Sequence, residues 1–262
     1  HKLIKHCDID VTDVDRADKI FGPDLGSLKG KTVRTAPVPV IVLPPLTVPR
    51  PIFEHHKHVT LSADIFYLDG ILFFFTISRN LQFKTVEHIK NKTHDLIFKC
   101  FKRVIQIYRK RGFIVSNILT DHVFQPLTTR LLTTGAELNA TSANEHVPEI
   151  ERAIRVIKKR ARSFIVMMPF KAIPILMKKH LIIYLVQIIN PTVHKNSVSP
   201  FLSPATIVLG HQLDVNLHCQ LPFGSFCQVA DEPKPLNSTN KPRTLDAIAL
   251  RPAGNSQGGY YF

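Results

Sequence analysis

Val59-Thr-Leu-Ser-Ala-Asp-Ile-Phe-Tyr-Leu68, then Asp69-Gly70, then Ile71-Leu-Phe-Phe-Phe-Thr-Ile77 follow one another without interruption. The first run alternates across two faces, and the second is an apolar run of strand length. Asp-Gly between them is a strong signal for a tight hairpin. Two antiparallel strands are predicted, over about 58–68 and 70–78, with a third over about 81–87 after Arg79-Asn80. A helix is predicted from about 90 to 111. Ile97, Phe101 and Ile105 form one stripe on it, with Leu96, Cys100, Val104 and Tyr108 beside them, and Gly112 closes it. Phe113-Ile-Val-Ser-Asn-Ile-Leu-Thr120 reads as a fourth strand, followed by a short helix or turn (122–132), a fifth strand near 136–141 and a helix over 145–166.

Three antiparallel strands followed by βα alternation is an uncommon order. It is the pattern of the ribonuclease-H-like α/β fold, a mixed five-stranded sheet flanked by helices. That fold carries metal carboxylates on its first strand, at the end of its fourth and on a late helix. The corresponding positions here hold Asp64, Asp121 and Glu151. Carboxylates gathered at one point repel one another unless a hard divalent cation neutralises them. Mg2+ prefers oxygen ligands and keeps several waters, so two Asp and one Glu suffice as its protein ligands. The competing reading is that these three, like most of the chain's twenty Asp and Glu residues, are solvated surface charges.

The helix carrying Glu151 is basic and amphipathic. Ile150, Ile154, Ile157 and Ala161 make its apolar stripe, while Glu151, Arg155, Lys158 and Arg162 make a neighbouring polar one, with Lys159 beside it. Two readings are open: a set of cations that hold a DNA backbone near the carboxylates, or an ordinary solvated face with Glu151 and Arg155 as an i,i+4 pair. A second basic run, from Lys102-Arg103 to Arg109-Lys-Arg111, either extends that surface or solvates its own helix.

Composition favours a polyanionic partner. Thirty-four Lys and Arg against twenty Asp and Glu leave a net charge of +14, which suits phosphate neutralisation. The 262 residues, 44% of them hydrophobic, suffice for one large domain or two modest ones. Cys7, Cys100, Cys219 and Cys227 include no CxxC pair, so a reducing compartment fits better than a disulfide scaffold. Cys100 is expected in the core. His6-Cys7 and His218-Cys219 lack a second pair nearby, and zinc is not expected. No segment spans a membrane, because Pro169, Lys171, Pro174 and Lys178-Lys-His180 interrupt the aliphatic stretch from Phe164 to Ile189.

Outside this core, residues 1–36 read as a small polar start in which Thr12 caps a short helix. Pro37 to Pro51 holds six prolines in fifteen residues and reads as an extended linker. A helix over about 173–190 and the segment Ser203-Pro-Ala-Thr-Ile-Val-Leu-Gly210 close the core at 52–210. Short strands are then expected at 226–230, 247–251 and 259–262, as a small β-barrel or a truncated sheet. The start at His1 and the end at Tyr260-Tyr-Phe262 read as a piece of a longer chain.

The chain resembles the integrase region of a copia-type retrotransposon Pol polyprotein, of a divergent branch. Glu145-His-Val-Pro-Glu-Ile-Glu-Arg-Ala-Ile-Arg-Val-Ile-Lys-Lys-Arg-Ala-Arg162 resembles the helix bearing that family's catalytic Glu, which falls on Glu151 rather than Glu149. Leu119-Thr-Asp-His-Val-Phe124 resembles the segment with its second Asp, and Val59 to Gly70 its first strand. Leu221-Pro-Phe-Gly-Ser-Phe-Cys-Gln-Val229 and Gly254-Asn-Ser-Gln-Gly-Gly-Tyr-Tyr261 resemble the Src-homology-3-like barrel that follows such cores. Ile20-Phe-Gly-Pro-Asp24 and Leu28-Lys-Gly-Lys-Thr32 resemble the stretch before the core, making 1–36 a remnant of the pre-integrase region and 211–262 a truncated barrel. Two features depart from the family. Thirty residues separate Asp121 from Glu151, a few fewer than usual, and Glu145-His-Val-Pro148 replaces its flexible glycine. His1, His6 and Cys7 do not rebuild its zinc module.

The resemblance implies a metal-dependent polynucleotidyl transferase using Mg2+ or Mn2+. It would cleave DNA ends and join them to target DNA, with Asp64, Asp121 and Glu151 as catalytic and metal-holding residues. Arg155, Lys158, Lys159 and Arg162 would bind DNA. It further implies a homo-oligomer acting in the nucleus and carried in a cytoplasmic particle as part of a polyprotein. The alternatives are a catalytically decayed or domesticated DNA-binding relative, or a non-enzymatic nucleoprotein component.

Overall fold

The computed structural model describes residues 8–33, 39–40, 42, 44–141, 147–193, 197–231, 240–255 and 257–262. In chain order the elements are α1 (Val11–Phe21), α2 (Leu25–Lys31), α3 (Arg50–His56), β1 (His58–Leu68), β2 (Ile71–Ser78), β3 (Lys84–Ile89), α4 (His94–Arg109) and β4 (Ile114–Thr120). A 3-10 helix (His122–Leu127) leads into α5 (Thr128–Leu132) and β5 (Glu137–Ala140). Then come α6 (Pro148–Met167), α7 (Ile175–Ile189), α8 (Pro204–Leu209), α9 (Val215–His218), β6 (Phe226–Ala230), β7 (Thr244–Ile248), β8 (Arg251–Pro252) and β9 (Tyr260–Tyr261). They divide into two compact units, one of His1–Val40, Gly224–Ala249 and Phe262, the other of Ile41–Phe223 and Leu250–Tyr261.

The larger unit is built on a five-stranded mixed sheet of order β3-β2-β1-β4-β5. Its β1–β2 and β2–β3 pairs are antiparallel, and β1–β4 and β4–β5 are parallel. This is the order and direction expected of the ribonuclease-H-like pattern. The Asp69-Gly70 hairpin forms as predicted, with φ of 47° and 75° at its two turn residues. A type I′ turn demands positive φ at both, and its twist matches that of the strands it joins.

One face of the sheet packs on α4. Leu61, Ala63 and Phe74 meet Ile97, Cys100, Phe101, Val104 and Tyr108 there, and the rings of Phe74 and Phe101 stand edge-on at 4.9 Å. The other face is covered by α6, which packs on β1 and β2, and by α7, which packs on β3 and α6. Ile150, Ile154, Ile157 and Ala161, the predicted stripe, are buried. So are Phe66, Phe73 and Phe75, whose rings cluster on β1 and β2. Cys100 lies in the core as expected, and burial pushes its thiol up to about 12.

Several boundaries differ from expectation. Strand β3 begins at Lys84 rather than near 81, because Gln82 takes φ of 57° and the Ser78 N–H returns to the Phe83 carbonyl at 3.0 Å, which breaks the ladder. Helix α4 starts at His94, leaving Lys90–Thr93 as a loop. Within the stretch expected as linker, 39–40, 42 and 44–49 form no helix or strand, but its last two residues open α3. Proline is tolerated there because the first helical turn has no use for its missing N–H. The rest of that stretch, Pro37 included, lies outside the described residues, as do His1, His6 and Cys7 and the approach at Glu145-His146.

In the smaller unit Asp10, not Thr12, caps α1. The Asp10 carboxylate accepts from the Val11 N–H at 2.6 Å, and Asp13 accepts from the Asp10 N–H at 3.0 Å. A carboxylate placed just before the first turn and a second within it satisfy more of the orphan donors than a threonine already inside the helix. Strand β7 starts at Thr244 rather than 247, since pairing with β6 (Phe226 opposite Ile248, Ala230 opposite Thr244) sets its limits. Helix α2 is tied to β7 by Lys29, which donates to Asp246 at 2.9 Å. In the larger unit β8 and β9 pair with each other.

Candidate functional site

Strand register brings the two aspartates together. On adjacent parallel strands Ala63 lies opposite Thr120, so Asp64 and Asp121, the next residue on each strand, stand level. Neighbouring strands run about 4.8 Å apart, and alternation sends both side chains to the face that α6 covers. Asp121 keeps extended backbone (φ −69°, ψ 162°) before the chain turns into the 3-10 helix. Glu151 comes to the same end of the sheet in the first turn of α6, whose buried stripe docks on β1 and β2.

The charges report this convergence. Asp64 is pushed up to about 6, first by burial and then by the charges of Asp121 and Glu151; the Ile65 N–H, which donates to it at 2.6 Å, and Lys92 act in the opposite direction. All three predicted carboxylates therefore share one electrostatic site. The donor set, oxygen ligands on two strands and a helix, fits a hard divalent cation in its chemistry. Among the described residues, however, no three His, Cys, Asp or Glu side chains are drawn closely enough together to hold a metal ion.

Glu149 is directed elsewhere. Arg79 Nε reaches its Oε2 at 3.3 Å and Gln82 Nε2 donates to its Oε1 at 3.0 Å, so it latches the start of α6 to the β2–β3 turn. Beneath that latch the Lys84 ammonium donates to the Gln82 carbonyl at 2.9 Å, and burial pushes it down to about 8.

Of the four expected DNA-binding cations, Arg155, Lys159 and Arg162 are exposed. Lys158 is half-buried, with its ammonium 5.6 Å over the Phe66 ring. The second basic run is largely spent on the protein itself. Arg103 is paired with Glu87, Arg109 donates to the Thr134 carbonyl at 2.5 Å, and Arg111 donates to the carbonyls of Leu46 at 2.5 Å and Ile207 at 3.3 Å. Sequence reasoning missed Lys92, which lies in the loop between β3 and α4 and belongs to no periodic pattern. Cys100, Cys219 and Cys227 are free. No helix among the described residues is long and apolar enough to cross a membrane.

Fold and site together define an α/β protein with a carboxylate site at one end of a mixed sheet. No protein-family model matches the chain, and no curated protein matches it. Among solved structures it is similar to the catalytic core domain of BIV integrase, at 16% identity over 57% of this chain and 93% of that one, with a TM-score of 0.40. At that level the likeness adds nothing to the chemistry, which stands on strand register and charge.

Proposed function

We propose that this chain is an integrase-like polynucleotidyl transferase in which Asp64, Asp121 and Glu151 hold Mg2+ or Mn2+ at a nucleic-acid phosphodiester. The observation that carries this reading is Asp64: level with Asp121 on the neighbouring strand and raised to about 6 by burial and by the charges of Asp121 and Glu151. Asp64 and Asp121 are oxygen ligands presented by strands, and Glu151 completes the set from α6. Held by Asp64, Asp121 and Glu151, divalent cations would supply charge stabilisation for the attacking and departing oxygens of an in-line displacement. Arg155, Lys158, Lys159 and Arg162 bind backbone phosphates alongside, in keeping with the net charge of +14. In the cleavage step water attacks a phosphodiester near a DNA end and releases a 3′-hydroxyl. That hydroxyl then attacks a phosphodiester of target DNA, and the target strand's 3′-oxygen leaves as a hydroxyl, taking up the proton the attacking group gives up.

The finer reading is a copia-type retrotransposon Pol fragment that works as a homo-oligomer in the nucleus and travels in a cytoplasmic particle. Its 52–210 region is the catalytic core, preceded by a pre-integrase remnant (1–36) and linker (37–51) and followed by a truncated Src-homology-3-like barrel (211–262). The motif resemblance and the basic charge support it. Incubating the protein with a labelled DNA duplex and Mg2+ tests the chemistry: cleavage and strand-transfer products are expected, and both vanish in Asp64→Asn with Glu151→Gln. Activity that survives the double substitution sinks the assignment.

A second reading is a relative that binds DNA without cutting it, in a nucleoprotein complex. It is favoured by the absence of a metal-ready trio among the described residues. Salt-sensitive DNA binding by a protein that yields no product with either cation would select it.

A further inference from the structure

The sheet register carries one more cation to the carboxylate end. Tyr67 pairs with Leu72 on β2, and Leu72 pairs with Ile89, the last residue of β3. The loop leaving β3 is thereby brought beside Tyr67, and the Lys92 ammonium lies 5.0 Å from the centre of that ring. Tyr67 is 50% exposed and Lys92 is exposed, so both face solvent. Lys158 occupies a matching position on Phe66, the preceding residue of β1. Successive strand residues point to opposite faces, so the two ammonium groups flank the end of β1 from its two sides, two and three residues beyond Asp64.

Lys92 also differs from most charged neighbours. Lys178 is paired with Asp69, Arg79 with Glu149, Arg103 with Glu87 and Arg130 with Asp95. Among the described residues no carboxylate is paired with Lys92, although its charge acts on Asp64. An aromatic face attracts an ammonium without neutralising it, so the ring holds the cation in place and leaves its charge available.

We propose that Lys92, positioned by the Tyr67 ring, binds a backbone phosphate of the nucleic acid on the flank of the carboxylates opposite Lys158. The inference rests on the nucleic-acid reading above and adds a contact from the β3–α4 loop to those expected from α6. Its consequence is a strand that passes round the end of β1, with one phosphate on Lys158 at the face of Asp64 and one on Lys92 at the other face.

Equilibrium binding of a fluorescein-labelled DNA duplex, in EDTA and over about 50–200 mM salt, tests it without any chemistry. Lys92→Gln is expected to weaken binding several-fold at low salt and to reduce the slope of log K against log salt by about 1, as removal of one phosphate-neutralising cation does. Lys92→Arg restores the slope, and Tyr67→Leu loses part of the affinity, because the ring no longer fixes the ammonium. If Lys158→Gln lowers the slope and Lys92→Gln leaves it unchanged, the Lys92 assignment is overturned while the nucleic-acid reading stands. A wild-type protein that does not bind the duplex overturns both. Unchanged thermal unfolding of Lys92→Gln checks that the exposed position affects binding and not folding.

Discussion

Asp64 sits half-buried on β1, where loss of water and two facing acids push its carboxyl up to about 6. Its ordinary value is near 3.8, so folding disfavours the ionised form. The stability Asp64 contributes is whole below about pH 4 and is lost as the pH rises through about 6. Asp64→Asn is therefore expected to stabilise the protein at pH 7.5 by about 1–3 kcal/mol and to lose that advantage toward pH 4. Urea unfolding at the two pH values checks this; equal effects at both would contradict it. Cation affinity, followed by calorimetry with Mg2+, should rise between pH 5 and 7 with release of a proton as Asp64 ionises. At this scale the three carboxylates were legible as candidates because Asp64 lies within the alternating run of β1, Asp121 follows a strand and Glu151 opens an amphipathic helix. The choice of Glu151 over Glu149 came from resemblance, and the structure adds a physical reason, since Arg79 and Gln82 occupy Glu149. Lys92 was illegible: its relation to Asp64 passes through strand pairing and a ring, neither of which is local in sequence.

Helix α6 is the element on which the site depends, because its apolar stripe sets where Glu151 and the basic residues stand. Ile157 is fully buried against the sheet face. Ile157→Ala is expected to cost about 2–4 kcal/mol in chemical denaturation, from reduced burial and the cavity left behind. Arg79→Ala releases an ion pair that is partly exposed, so its cost is about 0.5–1 kcal/mol. Elements with a clear period, β1, β2, α4 and α6, were readable from spacing alone, as was the Asp69-Gly70 turn. Their ends were less so. Asp10 displaced Thr12 as a cap because a neighbouring Asp13 completes a reciprocal pair. The limits of β3 and β7 were set by Gln82's turn and by β6, whose effects depend on partners distant in the fold.

The molecule carries +14, and its most basic exposed helix lies at the carboxylate end of the sheet. Charge reversal of Arg155, Lys159 and Arg162 together should reduce the salt slope of DNA binding by about 3, roughly one for each phosphate no longer neutralised. A slope that does not change would place the nucleic acid on another surface. The sequence by itself determined the order of strands and helices, the hairpin and the core stripes. These follow from local periodicity, turn chemistry and charge, which are written along the chain. Only the tertiary structure decided which acids face one another, that Glu149 serves as a latch, that the arginines of the second basic run are held by the protein's own carbonyls and Glu87, and that Lys92 joins the site. Each of those depends on pairing between strands or docking of a helix, and such long-range packing fixes side-chain partners that no spacing in the sequence specifies.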